Sequence, residues 1–239
     1  VNSAKTSVYI FDSLTLCFIP TYSLVGSNLL AIVAADLNGD NKTDIVASSS
    51  TGIFVYMNNG LGNFLSPTHF GSGATTNCLA IEDINNDNAP DIIVPVSTGF
   101  PDIISVYIND GIGNFIGPNN YNQTGGSGPA PTLIRQVTVS DLTGDGYAEI
   151  ITGNAVGLAV YINSGTGYFS GRTYYPMNGY VASVSSKDMN NDNKLDLVTT
   201  FNYNDTIIVQ INNGTGGFLP YQKHLSGKGK GTICDVNAD

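Results

Sequence analysis

A chain of 239 residues, 41% apolar and only 12% charged, can bury one sizeable core, and an all-β unit of this length commonly forms a single domain. Glycine, asparagine, tyrosine and β-branched residues are plentiful, a composition that favours short strands and tight turns and argues against long amphipathic helices. The net charge of −10 is local: 14 of the 19 acidic residues lie in five short stretches and the remaining residues carry a net +4, which disfavours a polyanionic partner such as nucleic acid.

In chain order, residues 7 to 18 (SVYIFDSLTLCF) read as two strands, like the last two of a four-strand unit. A strand over Leu29 to Ala35 then runs into DLNGDNKTD, Asp36 to Asp44. The pattern returns as DINNDNAPD (Asp83 to Asp91), DLTGDGYAE (Asp141 to Glu149) and DMNNDNKLD (Asp188 to Asp196), and DVNAD begins at Asp235. The leading aspartates are 47, 58, 47 and 47 residues apart.

Each acidic stretch is followed by an apolar run (Ile45-Val46, Ile92-Ile93-Val94, Ile150-Ile151, Leu197-Val198) that reads as a buried strand. Next comes a second recurring segment: VYMNNGLGNF (Val55 to Phe64), VYINDGIGNF (Val106 to Phe115), VYINSGTGYF (Val160 to Phe169) and VQINNGTGGF (Val209 to Phe218). Its Asn-x-Gly-x-Gly centre supplies residues that tolerate positive φ, so it predicts a strand, a hairpin and a further strand. Six residues past each final phenylalanine stand Phe70, Tyr121, Tyr175 and His224, a predicted column of rings on the fourth strand.

Four antiparallel strands in about 47 residues is the size of a propeller blade, whereas the coils of a β-solenoid are shorter and hold fewer strands. The expected fold is an all-β propeller of four-stranded antiparallel blades. The repeats fall at about 27–73, 74–131, 132–178 and 179–226, with partial blades at 1–26 and 227–239. Residues 1–239 then form one propeller domain or a segment of a larger propeller, seven being one blade number open to it. No apolar run is long enough to cross a bilayer.

The acidic turns are candidate metal sites. Oxygen-bearing side chains stand at positions one, three, five and nine: Asp36, Asn38, Asp40 and Asp44; Asp83, Asn85, Asp87 and Asp91; Asp141, Thr143, Asp145 and Glu149; Asp188, Asn190, Asp192 and Asp196. Position seven is Lys42, Ala89, Tyr147 or Lys194, so a ligand from there is a backbone carbonyl. Positions four and six are always Gly or Asn, as a tight wrap through left-handed conformations requires. Position two is always apolar and pins the turn to the core.

Hard oxygen donors in an adaptable loop favour Ca²⁺ over zinc, copper or magnesium, about one ion per complete turn. The third turn, with Thr143 and Glu149, is expected to be the weakest or most rearranged. An EF-hand is excluded because position twelve is Ala47, Val94, Thr152 or Thr199 where it needs glutamate.

The acidic turns together with the Asn-x-Gly-x-Gly-x-Phe hairpins resemble FG-GAP/VCBS repeats, the calcium-binding blades of integrin α-type propellers. The stretch His69-Phe70-Gly71-Ser72-Gly73-Ala74 is similar to the Phe-Gly and Gly-Ala segment that names them. The resemblance implies an extracellular or cell-surface module. Its calcium turns lie on one face, and its protein or glycan ligand on the other, at loops between strands two and three and between blades. Repeat two carries extra residues at both connections, around Gly99 to Asp102 and Gly125 to Pro131.

No enzyme is expected. The two histidines, His69 and His224, fall on strands beside rings, no nucleophile elbow is present, and Gly227 to Gly231 lacks the Ser or Thr of a phosphate loop. The leading reading is an adhesion or recognition module. The alternatives are a non-catalytic accessory domain of a larger secreted enzyme and a structural domain without a specific ligand. Cys17, Cys78 and Cys234 are too far apart in sequence to assign a pairing.

Overall fold

The computed structural model describes residues 6–12, 17–24, 29–61, 63–71, 77–97, 103–122, 133–202, 206–220 and 222–225. Among these there is no helix. Strands β1 (Thr6–Asp12) and β2 (Cys17–Leu24) pair antiparallel. Four four-stranded antiparallel meanders follow.

Blade one comprises β3 (Leu29–Ala35), β4 (Asp44–Ser49), β5 (Gly52–Tyr56) and β6 (Thr68–Gly71), and blade two β7 (Ala80–Glu82), β8 (Asp91–Val96), β9 (Ile103–Asn109) and β10 (Phe115–Asn122). Blade three comprises β11 (Gln136–Ser140), β12 (Glu149–Gly153), β13 (Gly157–Asn163) and β14 (Phe169–Pro176), and blade four β15 (Val181–Lys187), β16 (Asp196–Phe201), β17 (Thr206–Gln210) and β18 (Gln222–Leu225). The first strands touch in succession, β3 on β7, β7 on β11 and β11 on β15, so the blades are arranged as in a β-propeller.

The second strand of each blade is buried along its whole length. In the inner blades two and three, neighbouring blades cover both faces of this strand, so it reads as a continuous apolar run instead of an alternating one. In β8, Ile92 and Val94 pack toward blade one with Leu37, Val46 and Ile53, while Ile93 between them packs toward blade three with Ile150 and Ala159. The core is therefore a series of blade-to-blade layers, repeated between blades three and four by Ile151, Leu158, Val184 and Leu197.

The ring column forms these same junctions. Phe70 lies edge-on to Phe115 of the next blade (6.0 Å between centroids), Tyr121 to Phe169 (5.3 Å) and Tyr175 to Phe218 (5.1 Å). The hydroxyls of Tyr121 and Tyr175 also donate to the carbonyls of Gly167 and Gly216, at 3.2 and 3.0 Å. The side chain of His224 lies outside the described residues, whereas His69 stacks on Phe54 at 4.4 Å.

In the hairpins the positive φ expected of the Asn-x-Gly-x-Gly centre falls on its glycines. The asparagines that open the hairpins, Asn58, Asn109, Asn163 and Asn212, do not take positive φ, and the hairpin glycines alone do so. The second glycines Gly113, Gly167 and Gly216 take φ of 83°, 68° and 70°, and a Cβ would also meet the end of the Met57 side chain of the previous blade at Gly113 (2.4 Å) and that of Ile162 at Gly216 (2.9 Å).

Candidate acidic-turn sites

Each acidic stretch is the connection between the first and second strands, so all four lie at one end of the blades, beside the hairpins of strands three and four. The turns share one backbone course. All eight residues at positions four and six (Gly39, Asn41, Asn86, Asn88, Gly144, Gly146, Asn191, Asn193) have φ between 58° and 87°. Left-handed steps at alternate positions curl the chain so that backbone N–H groups point inward at the first carboxylate.

In the first turn Asp36 Oδ1 accepts from the N–H of Gly39 (2.9 Å) and Asp40 (3.2 Å), and its Oδ2 from Asn41 (2.7 Å). Asp83, Asp141 and Asp188 accept from position six in the same way, at 2.8 Å each. The fifth-position carboxylate accepts the N–H of position seven in every turn: Lys42 to Asp40, Ala89 to Asp87, Tyr147 to Asp145 and Lys194 to Asp192, at 2.8 to 3.0 Å. The side-chain amides of Asn38, Asn85 and Asn190 at position three lie against that same carboxylate, 3.4, 2.8 and 3.2 Å away.

Position nine differs in kind. Asp44, Asp91, Glu149 and Asp196 are each fully buried. Asp91 Oδ2 accepts from Ile84 N–H (3.2 Å) and its Oδ1 from Asn109 N–H (2.8 Å). Asp44 and Asp196 hold the equivalent pairs, Leu37 with Asn58 and Met189 with Asn212. This carboxylate ties the start of its turn to its own blade's hairpin. Burial, with smaller contributions from the nearby charges of Asp87 and Asp83, pushes Asp91 up to about 6. Burial, reinforced by Asp145, pushes Glu149 up to about 7.

The third turn is rearranged where its sequence departs. The longer Glu149 takes the N–H groups of both Leu142 (2.7 Å) and Thr143 (3.2 Å) on one oxygen, and its bond from Asn163 stretches to 3.4 Å. Lysines shield two of the others: Lys42 Nζ stands 3.1 Å from Asp40, and Lys194 Nζ 3.9 Å from Asp192. Position two is buried as expected at Leu37, Ile84 and Leu142, but Met189 is 45% exposed. The first three pack at the junction with the following blade, and no described blade covers Met189.

The groups able to hold a cation are the side-chain oxygens of positions one, three, five and nine and the carbonyls of Lys42, Ala89, Tyr147 and Lys194. Among the described residues no three acidic, histidine or cysteine side chains converge closely enough to hold an ion alone, so amide, hydroxyl and carbonyl oxygens complete any shell. The donor chemistry fits a hard cation: all donors are oxygen, and the buried carboxylates are short of compensating positive charge.

The hairpin asparagines couple the turns, a role that reading the sequence missed. Asn109 Nδ2 donates to Pro90 O in its own turn (3.0 Å) and to Leu37 O in the turn of the preceding blade (2.8 Å). Asn163 and Asn212 repeat the bridge. The signal was present: these four positions are all asparagine, while the next residue changes among Asn59, Asp110, Ser164 and Asn213.

The extra residues of repeat two, at 98–102 and 123–132, lie outside the described residues, as do most of the Gly71 to Ala74 segment, the Asp235 turn and Cys234. The strands that flank the two insertions end away from the acidic turns. Cys78 is buried. No helix among the described residues is long and apolar enough to cross a membrane.

The FG-GAP-like repeat model matches residues 36–94 and 141–199. Each match begins on the first aspartate of one acidic turn and runs past the next, so the two contain all four complete turns. A search of curated protein sequences finds no match.

Among solved structures, a lectin of Agrocybe aegerita that recognises non-reducing terminal N-acetylglucosamine is similar in fold. Its TM-score is 0.56 at 22% identity, over 80% of this chain and 50% of that one. BBS1N, solved in complex with ARL6DN, is similar with a TM-score of 0.58 at 16% identity, over 93% of this chain and 62% of that one. The chain thus spans between half and about three-fifths of the length of these two. The match in sequence, the shared blade architecture and the four alike turns lead to one conclusion: the chain carries FG-GAP-like repeats and builds them into a β-propeller.

Proposed function

We propose that this propeller is a calcium-stabilised extracellular recognition module for a protein or glycan ligand. The observation that carries the calcium part is the common course of the four turns, in which eight left-handed residues wrap hard oxygen donors above a buried carboxylate. Asp36, Asn38, Asp40 and Asp44, with the carbonyl of Lys42, would hold the first ion. The corresponding residues, with the carbonyls of Ala89, Tyr147 and Lys194, would hold the others. The ion supplies the positive charge that the ninth-position carboxylates lack, and so locks the strand connections.

Recognition is supported by the propeller relatives, one a lectin for terminal N-acetylglucosamine and one solved with a protein partner. We place the ligand surface on the face opposite the acidic turns, where loops can vary without disturbing the ion sites.

Calcium titrated into chelator-treated protein tests the first part by thermal unfolding. Binding to the folded turns and not to the unfolded chain raises the midpoint by mass action, and an unchanged midpoint at millimolar calcium refutes it. Glycan-array and pull-down screens with the calcium-loaded protein test the second part, and blank results in both leave a purely structural propeller.

A further inference from the structure

The junction of blades two and three holds a charged side chain that the fold does not use. Three residues beyond the hairpin phenylalanines Phe64, Phe115, Phe169 and Phe218 stand Pro67, Pro118, Arg172 and Tyr221. Blade three alone places a cation there. Arg172 lies opposite Tyr161 in the β13–β14 ladder, is only 6% exposed, and its Nε and Nη1 have no hydrogen-bond partner.

The ion pairs among the described residues are Lys42–Asp40 and Lys194–Asp192, so no carboxylate neutralises Arg172. Its Cζ stands 5.8 Å from the centre of the Tyr174 ring, a contact that offsets only part of the desolvation of a guanidinium. A buried charge without a partner is costly, and proline fills the same position in two sister blades, so the missing counter-charge is the informative feature.

Arg172 lines a cleft of about 240 Å³ walled by Asn120, Tyr121, Tyr168 and Gly171, with no aliphatic side chain. Ser105 Oγ donates to Asn120 Oδ1 at 2.7 Å, which fixes the exposed amide and leaves its nitrogen as a donor. Tyr168 is 60% exposed and edge-on to Tyr121, and the Tyr121 hydroxyl is anchored on Gly167 O. An adjoining cleft of about 370 Å³ shares Asn120, Tyr121 and Tyr168, giving room for a chain to continue beyond a first ring.

We propose that this inter-blade cleft binds an acidic saccharide, with a pyranose ring against Tyr168, its carboxylate on Arg172 and a hydroxyl on the Asn120 amide. A hydrogen bond from a guanidinium to a carboxylate is charge-assisted and stronger than a neutral one, and amphipathic tyrosine rings suit a sugar, which has apolar faces and polar edges. The site rests on the recognition reading only in being a binding site, and it lies on the flank between blades, apart from the face opposite the acidic turns.

Calorimetric titration of the full chain in calcium buffer with D-glucuronate, and with D-glucose and glutarate as controls, tests this in wild type, Arg172→Gln and Tyr168→Ala. Saturable glucuronate binding is expected, weakened about tenfold or more by Arg172→Gln and also by Tyr168→Ala, with glucose and glutarate far weaker. Without ligand, Arg172→Gln should melt no lower than wild type, because the Tyr174 contact that it loses offsets only part of the desolvation that it relieves.

Equal glucuronate affinity in wild type and Arg172→Gln, no saturable binding of glucuronate, or glutarate binding as tightly would each overturn the proposal. A neutral glycan held equally by wild type and Arg172→Gln would overturn it while leaving the recognition reading intact. Blank glycan and protein screens would remove both.

Discussion

The Asn163 side chain reaches back 79 residues to donate a 2.7 Å hydrogen bond to the carbonyl of Ile84, and the same nitrogen holds the carbonyl of Ala148 at 3.1 Å. Asn109 and Asn212 make the equivalent bridges. The acidic turn of one blade is thereby pinned to the hairpin of the next, and order in one turn bears on its neighbour.

Truncating the bridge leaves two carbonyls without their donor. Asn163→Ala and Asn212→Ala should each cost about 2–3 kcal/mol, in line with buried polar groups left unsatisfied. Asn58→Ala should cost about 1 kcal/mol, because its amide reaches only the Thr43 carbonyl in an exposed setting. Urea unfolding of the three variants checks this, and equal losses at all three positions would refute the bridging role.

Positions five and nine of a turn should fail differently. Asp91 is fully buried and accepts two backbone N–H groups, so Asp91→Ala should destabilise the protein by about 2–4 kcal/mol even in chelator. Asp87 is exposed and its partners are local, so Asp87→Ala should leave the chelated midpoint nearly unchanged and remove part of the rise that calcium produces. Melting curves with and without calcium separate the two, and a similar chelated loss for both would show that the ninth carboxylate is no clasp.

In the metal-free protein the buried Glu149 and Asp91 set a pH trend. The Glu149 carboxyl is raised from its ordinary 4.5 to about 7, so the folded state holds this proton more tightly than the unfolded state. Its contribution to stability is full below pH 4.5 and is lost as pH rises through 7. Asp91, raised from 3.8 to about 6, acts the same way over a lower window. The chelated midpoint should therefore fall between about pH 4 and 7, and Glu149→Gln should flatten the upper part of that fall. A midpoint that rises over this range in wild type would contradict the burial of these groups as charges.

The left-handed positions make a test of the wrap itself. Asn88 has φ of 67°, where a side chain with Cβ and no local hydrogen bond costs about 1–2 kcal/mol. Asn88→Ala should lower stability by about 1 kcal/mol, whereas Asn88→Gly should stay within a few tenths. Thermal unfolding of both variants reads the difference, and an alanine variant as stable as the glycine one would place residue 88 outside the left-handed region.

The four complete repeats and their strand order were legible because each repeat carries its own punctuation. Acidic turns, apolar runs and Gly-x-Gly hairpins recur in the same order in every repeat, and short-range backbone preference is enough to place them. The asparagine bridges and Arg172 were not legible by such local rules. Asn163 looks like a turn residue until Ile84, 79 residues away, is beside it. Arg172 looks like an ordinary surface cation until the blade-two strand closes over it with Asn120 and Tyr121.

By itself the sequence determined the repeat, the four-strand meander and the positions where the chain must turn left-handed, because these depend on residue type and spacing along one segment. Only the tertiary structure decided which carboxylate of each turn is buried, which asparagine spans two blades and which cation stands without a counter-charge. Those outcomes depend on what a neighbouring blade brings within hydrogen-bond reach and how much water it excludes, and neither is written in any single repeat.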